Sequence, residues 1–292
     1  MSNFSGLLKT MRPKQWVKNT LLFAALVFDH KLLTLNYLWR AGLGFVLFSL
    51  VSGVVYIVND LVDLEKDRVH PRKRHRPLPA GELAPTFAQV SALFFGVGSL
   101  LAAYWLAPAF ALVLFSYLLL QIGYSFYLKR IVLLDVMAIA AGFVLRVAGG
   151  VILVTAERFS PWLYICTTLL ALFLALGKRR GELVLLEDGA GNHRESLHEY
   201  TLPLLDQLMS LVTSSTILAY ALYTFSATNL ASNTAMMLTI PFVIYGIFRY
   251  LYLVHARGTT LAPDEVLLTD RPLQVTVFLW GLTAVGIIYL GP

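Results

Sequence analysis

The sequence predicts an all-α, polytopic membrane protein of about nine transmembrane helices. Three observations carry that prediction: an apolar composition, apolar runs of membrane-spanning length from end to end, and basic residues gathered in alternate connections. Hydrophobic residues make up 58% of the 292 and charged residues only 14%, against about a quarter charged in an ordinary soluble domain. Mean hydropathy is +0.70, so water cannot be the main solvent. Runs of about twenty apolar residues, the length that crosses a bilayer as a helix, recur throughout. Residues 1–292 are therefore expected to form a single transmembrane domain. The basic N-terminus leads into an apolar run without a small-residue cleavage site and is expected to be retained. The single cysteine, Cys166, lies inside an apolar run, which excludes a disulfide or a thiolate metal site and leaves it a packing role. The six histidines form no i, i+4 pair and read as solvated loop residues.

Apolar runs bounded by charge give helices at 16–31, 41–62, 84–106, 108–127, 133–154, 161–177, 206–226, 235–254 and 272–290. The first is short: Trp16 to Phe28 precede Asp29, His30 and Lys31, and Lys18 already lies within it. It is required by charge, because the basic segments before helix one and after helix two share a side only if the chain crosses twice between them. With the N-terminus inside, the inner segments hold Lys9, Arg12, Lys14 and Lys18, then Lys66, Arg68, Arg72, Lys73, Arg74 and Arg76 after helix two. Lys129 and Arg130 follow helix four, Lys178, Arg179, Arg180 and Arg194 follow helix six, and Arg249, Arg257 and Arg271 follow helix eight. Outside lie Lys31, Arg40 and Arg158, with Arg146 inside helix five, a division of nineteen against three. This positive-inside pattern predicts a multi-pass protein of the cell (inner) membrane, with its N-terminus and its long polar loops, hence its active site, cytoplasmic.

The densest chemistry is Asn59-Asp60-Leu61-Val62-Asp63-Leu64-Glu65-Lys66-Asp67 at the inner end of helix two. At 100° per residue, Asn59, Asp60, Asp63 and Asp67 share an arc of about 100°. Three carboxylates on one face repel one another. A divalent cation resolves the repulsion, and all-oxygen ligands suit Mg2+, which combines one or two carboxylates with substrate phosphates. A merely solvated helix end is disfavoured, since carboxylates there oppose the helix dipole. The following stretch to Gly81 is strongly basic and stiffened by Pro71, Pro77 and Pro79. It reads as positive-inside charge, as attraction to anionic lipid, or as contact with a polyanionic substrate, with Arg74 and Arg76 the chief candidates.

Helix four ends in Tyr127-Leu-Lys129-Arg130, and helix five carries Asp135 near its start and Arg146 deep in the apolar layer. The two are about 16 Å apart along the axis and cannot pair. Arg146 faces either a polar cavity or carbonyls near Gly142 and Gly149-Gly150. Helix six ends Gly177-Lys178-Arg179-Arg180-Gly181-Glu182, where the dipole favours cations as a cap and Glu182 is spaced to orient Lys178. In Arg12-Pro-Lys14-Gln-Trp16-Val-Lys18-Asn19, Trp16 suits an interface anchor and Lys14 and Lys18 fall at the depth of a lipid phosphate.

These motifs resemble the UbiA-type intramembrane transferase superfamily, and within it the decaprenyl-phosphate phosphoribosyltransferase branch. The likeness runs through Arg12 to Asn19, Tyr56-Ile-Val-Asn-Asp60, His70-Pro-Arg-Lys-Arg74, Arg146-Val-Ala-Gly-Gly150, Gly177-Lys-Arg179 and Asp270-Arg271. It implies a UbiA-like bundle around a central cavity open to the cytoplasm. The implied reaction moves 5-phosphoribosyl from phosphoribosyl pyrophosphate (PRPP) to a polyprenyl phosphate and releases pyrophosphate, with Mg2+ as cofactor. Where prenyltransferases of the superfamily carry a second aspartate-rich motif, this chain has Lys178-Arg179-Arg180-Gly-Glu182, which suits two phosphorylated substrates that would otherwise repel. On this reading Asp60, Asp63 and Asp67 with Asn59 hold Mg2+ on the pyrophosphate, and Asp135 faces positive charge developing on the ribose. Lys14, Lys18, Arg74, Arg76, Lys129, Arg146, Lys178, Arg179 and Glu182 serve the substrates. The expected partners are PRPP, a polyprenyl phosphate lipid and the membrane, with no nucleic acid. Two alternatives stand beside it: transfer of a prenyl chain from its diphosphate to an aromatic acceptor, and a lipid or solute transporter, which would more naturally hold its ionisable groups at the membrane midplane.

Overall fold

The computed structural model describes residues 3–71, 73–155, 161–187, 195–226 and 234–290. Arg72, Arg158 and Arg194, three of the charges counted above, lie outside the described residues. A short helix α1 (Asn3–Thr10) leads into a 3-10 helix (Pro13–Phe23) that continues as α2 (Ala24–Phe28). Then come α3 (Leu35–Val62), α4 (Leu64–Val69), α5 (Pro85–Leu106), α6 (Pro108–Phe126), α7 (Leu134–Leu153) and α8 (Pro161–Glu187). The chain continues as α9 (Leu202–Ser226), α10 (Ile240–His255), α11 (Pro263–Thr269) and α12 (Arg271–Leu290), and the described residues contain no strand.

Among the described residues eight helices are long and apolar enough to cross a membrane: α3, α5, α6, α7, α8, α9, Thr234–His255 and α12. They leave Trp105, Leu112, Phe278 and Leu290 on the outside, as lipid-facing surfaces do. Proline at the first turn starts α5, where its missing N–H costs nothing, and Pro108 restarts the chain as α6 after the single residue Ala107. Several boundaries differ from the sequence-based ranges: α3 begins at Leu35 rather than 41, α9 at Leu202 rather than 206, and α10 at Ile240 rather than 235. Helix α8 runs on to Glu187, because backbone hydrogen bonds outlast the apolar run. The first expected helix is mostly a 3-10 helix, not one of the eight.

The helices gather into two compact units. The first holds the chain through Leu26, Lys31–Phe126, and the end of α7 from Leu145. Its axis is α3, packed by α5, α6 and the 3-10 helix. Leu7, Met11, Ile57, Leu78 and Leu83 pack near the Asp60 end of α3, Leu22 packs with Phe48 and Phe110, and Ala25 and Leu26 pack with Ala41. The segment from Arg12 to Leu26 therefore runs antiparallel to α3. Two glycines allow this closeness: a Cβ on Gly53 would sit 2.6 Å from Met11 Cε, and one on Gly150 would strike the Leu22 carbonyl.

The second unit holds Val27–His30, Tyr127–Val144 and the helices from α8 onward. Helix α8 packs on α9, and α10 on α9 and α12, with Phe173, Leu176, Leu205, Met209, Tyr250 and Val254 in the core. Gly177 and Gly181, one helical turn apart, let Tyr250 and the Thr260 backbone approach α8. That face of α8 points inward, which fixes where its three consecutive cations go.

Candidate active site

The loop after α4 and the residue before the 3-10 helix converge on the end of α3. Leu78 and Leu83 are buried in the first unit's core, and Gly81 turns the chain at φ +77°, with its N–H bonded to the Leu78 carbonyl. Anchored this way, the loop directs Arg76 at two aspartates, each only 2% exposed. Its Nη1 donates to Asp60 Oδ1 at 3.1 Å and to Asp67 Oδ2 at 2.7 Å. Lys73 Nζ lies 3.7 Å from Asp67 Oδ1.

Arg12 reaches Asp60 from the other side, its Nη2 donating to Oδ1 at 2.8 Å. Its backbone is left-handed, φ 52° and ψ 65°, a conformation that costs of order 1–3 kcal/mol for a residue with a side chain. Several contacts over-determine it. Met11 is buried against Gly53, the Trp16 indole donates to the Met11 carbonyl at 3.1 Å, and the Arg12 guanidinium lies 4.6 Å above the Tyr56 ring.

The aspartates do not share one continuous helix face as expected. The backbone breaks at Asp63, φ −89° and ψ 6°, which ends α3 and begins α4. Asp60 and Asp67 are brought to one cation, while Asp63 and Asn59, both half-buried, make none of these contacts. Arg74 stays outside, its Nε 3.3 Å from His75 Nε2.

Arg146 joins a separate buried network in the same unit. Its Nε donates to Asn19 Oδ1 and its Nη2 to the Tyr117 hydroxyl, both at 2.8 Å, and the guanidinium stacks 4.7 Å over the Tyr117 ring. Asn19 Nδ2 donates to Ser49 Oγ at 3.0 Å, and Ser52 Oγ lies 3.2 Å from the Tyr117 hydroxyl. Side chains of the 3-10 helix and of α6 thus receive the Arg146 guanidinium. Lys14 is exposed and Lys18 half-buried on the same 3-10 helix.

In the second unit Arg179 and Asp135 are both fully buried, with Arg179 Nε 3.1 Å from Asp135 Oδ2. The Tyr200 hydroxyl donates to Asp135 Oδ1 at 2.7 Å and accepts from the Leu133 N–H at 2.8 Å. Burial, with the Asp135 bond adding to it, pushes the Tyr200 phenol well above its ordinary pKa, so it stays a donor. Glu182 is also ion-paired to Arg179. Asp135 and Arg179, expected to face a ribose and a phosphate, lie enclosed against each other, with Tyr200 bonded to Asp135 and Glu182 to Arg179, while Arg179 Nη2 is buried without a hydrogen bond among the described residues. Glu182 is placed to orient Arg179 rather than Lys178 alone. Lys178 is exposed, Lys129 half-buried, and Arg180 pairs with Asp206 at 2.7 Å. Asp270 caps α12 through the Leu273 N–H at 2.9 Å and takes two bonds from Arg249, which hold its carboxyl below the usual range.

Sequence reasoning missed Arg12, Lys73, Asn19, Tyr117 and Tyr200 as site or supporting residues. Arg12 and Asn19 bracket the quoted Arg12–Asn19 motif, the one signal that could have found them. Among the described residues no three acidic or imidazole groups converge as a ready metal centre. The Asp60–Asp67 pair nevertheless fits a hard divalent cation: both donors are carboxylate oxygens, and their shared contact with Nη1 shows that positive charge is stable between them.

The profile of the UbiA prenyltransferase family matches residues 20–266. The decaprenyl-phosphate phosphoribosyltransferase of Mycobacterium tuberculosis is 34% identical over 296 residues, covering 98% of this chain and 95% of that protein. The protein of the same name from Corynebacterium glutamicum is 34% identical over 98% of this chain and 88% of its own. Among solved structures, a UbiA homolog from Archaeoglobus fulgidus bound to DMAPP and Mg2+ superposes with a TM-score of 0.72 at 20% identity, over 97% of this chain and 98% of that one. At that identity the likeness shows the fold alone.

Proposed function

This chain belongs to the UbiA prenyltransferase family, and from that premise we propose that it transfers 5-phosphoribosyl from PRPP to a polyprenyl phosphate, releasing pyrophosphate. The observation that carries the reading is 34% identity over nearly the full length to enzymes named for this activity. The acceptor phosphate is already an anion, so no general base is needed and catalysis reduces to positioning and electrostatics. Asp60 and Asp67, aided by Asn59 and Asp63, would hold Mg2+, which supplies charge neutralisation for the departing pyrophosphate. Arg12, Arg76 and Lys73 offer charge-assisted donors to pyrophosphate oxygens from fixed positions on the loop and the 3-10 helix. Lys14 and Lys18 suit the lipid phosphate by their place on the membrane-entering segment. Exposed Lys178 is a further candidate for a terminal phosphate. Asp135 and Tyr200 act as positioning residues that lock Arg179 and the end of α8. Both substrates would be met at the cytoplasmic face of the cell membrane.

The direct test is incubation of the purified protein with Mg2+, radiolabelled PRPP and a panel of polyprenyl phosphates. We expect label to pass into a lipid-soluble product with stoichiometric release of pyrophosphate. Turnover of a prenyl diphosphate with an aromatic acceptor, together with none from PRPP, would overturn the reading in favour of prenyl transfer.

A further inference from the structure

One nitrogen, Arg76 Nη1, lies within 3.1 Å of Asp60 Oδ1 and 2.7 Å of Asp67 Oδ2. Both carboxylates are buried, and two buried anions this close are stable only with a cation between them. Arg12 does not fill that role, because it touches Asp60 alone and is fixed by its left-handed backbone and by Tyr56. Arg76 carries no such backbone constraint: its side chain is 31% exposed, and the loop beneath it is held by buried Leu78.

We infer that Arg76 is a built-in stand-in for the divalent cation. It holds Asp60 and Asp67 until a metal takes them, then turns to the oxygens of the diphosphate that accompanies the metal. The two uses would exclude each other, since the carboxylate oxygens that would hold the metal are the ones Arg76 Nη1 engages. Metal alone must displace a bonded guanidinium that gains nothing in return. Metal with a diphosphate gives the released guanidinium a new anion. Arg76 thus couples the two bindings, and the coupling is reciprocal. This rests on the proposed reaction only for the identity of the diphosphate donor; inorganic pyrophosphate carries the shared group and is used as the probe.

The experiment compares wild-type protein with Arg76→Gln and, as a control for nearby charge, Arg68→Gln, whose side chain is exposed and paired with Glu65. Mn2+ binding is read by electron paramagnetic resonance without pyrophosphate, and protein-bound radiolabelled pyrophosphate is measured at saturating Mg2+. Arg76→Gln should bind Mn2+ at least about 10-fold more tightly and pyrophosphate at least about 10-fold more weakly, the scale of a lost charge-assisted contact. Arg68→Gln should change neither by more than about 3-fold on the same scale. Unchanged or weaker Mn2+ binding in Arg76→Gln would overturn the inference and leave Arg76 a fixed ion-pair partner. If that variant does not yield monodisperse protein, wild-type Arg76 is followed by phenylglyoxal modification and mass spectrometry. Its reactivity should rise with Mg2+ and fall again when pyrophosphate is added; no response to Mg2+ would equally defeat the idea. Failure of PRPP turnover with these responses intact would overturn the proposed reaction and leave the role of Arg76 standing.

Discussion

Lys178 and Arg179 are neighbours in the chain with opposite surroundings. About 100° of helical rotation separates them, so with Gly177 and Gly181 turned inward Arg179 is enclosed with Asp135 while Lys178 stays exposed. Removing one partner of a buried pair leaves the other charge uncompensated, at a cost of about 3–5 kcal/mol, whereas replacing both by apolar groups is often close to neutral. Arg179→Met and Asp135→Leu should each lower the melting temperature of the solubilised protein strongly, and the double variant should recover much of the loss. Lys178→Ala should melt like wild type yet lose about 10- to 150-fold in kcat/KM, the scale of one charge-assisted phosphate contact. Wild-type melting of Arg179→Met with a comparable catalytic loss would return that arginine to the substrate. The charges themselves were legible in the sequence. Their direction was not, because it depends on which face of α8 receives Tyr250.

At the scale of elements, the apolar runs disclosed eight spans, since length and hydropathy are local properties. The break at Asp63, the 3-10 path of the first segment and the contact between Arg12 and Asp60, 48 residues apart, were hidden. All three are set by packing between segments, to which periodicity is blind. Gly150 shows how tight that packing is. A Cβ there meets the backbone carbonyl of Leu22, which cannot turn aside, whereas a Cβ on Gly44 meets the end of the Leu153 side chain, which can. Gly150→Ala should therefore cost about 1–3 kcal/mol of stability, push the 3-10 helix away from α7, and raise hydrogen exchange through residues 13–26. Gly44→Ala should stay near wild type by the same measures. Equal effects of the two substitutions would mean that the 3-10 helix is not seated on α7 by backbone contact.

For the whole molecule, the number of crossings turns on the first segment. Arg12 bonds Asp60, Lys9 Nζ lies 3.7 Å from Glu82, and the Ala84 N–H donates to Asn3 Oδ1 at 3.3 Å. The N-terminus and the loop after α3 thus lie together on one side. Helix α3 crosses once, so the chain between Arg12 and Leu35 must cross back to reach its start. Its length suffices: eleven residues of 3-10 helix and five of α-helix rise about 30 Å, the thickness of the hydrocarbon core. We therefore expect a ninth crossing formed largely by a 3-10 helix. From the nineteen-to-three division of Lys and Arg we expect the shared side to be cytoplasmic. Single cysteines in a Cys166→Ser background provide the check, at three exposed positions, Phe4, Leu33 and Ala80. In inverted membrane vesicles a membrane-impermeant maleimide should label Phe4→Cys and Ala80→Cys but spare Leu33→Cys, and right-side-out vesicles should give the opposite pattern. Labelling of Phe4→Cys and Leu33→Cys from the same side would remove the ninth crossing, and labelling of Ala80→Cys only from outside would invert the whole molecule.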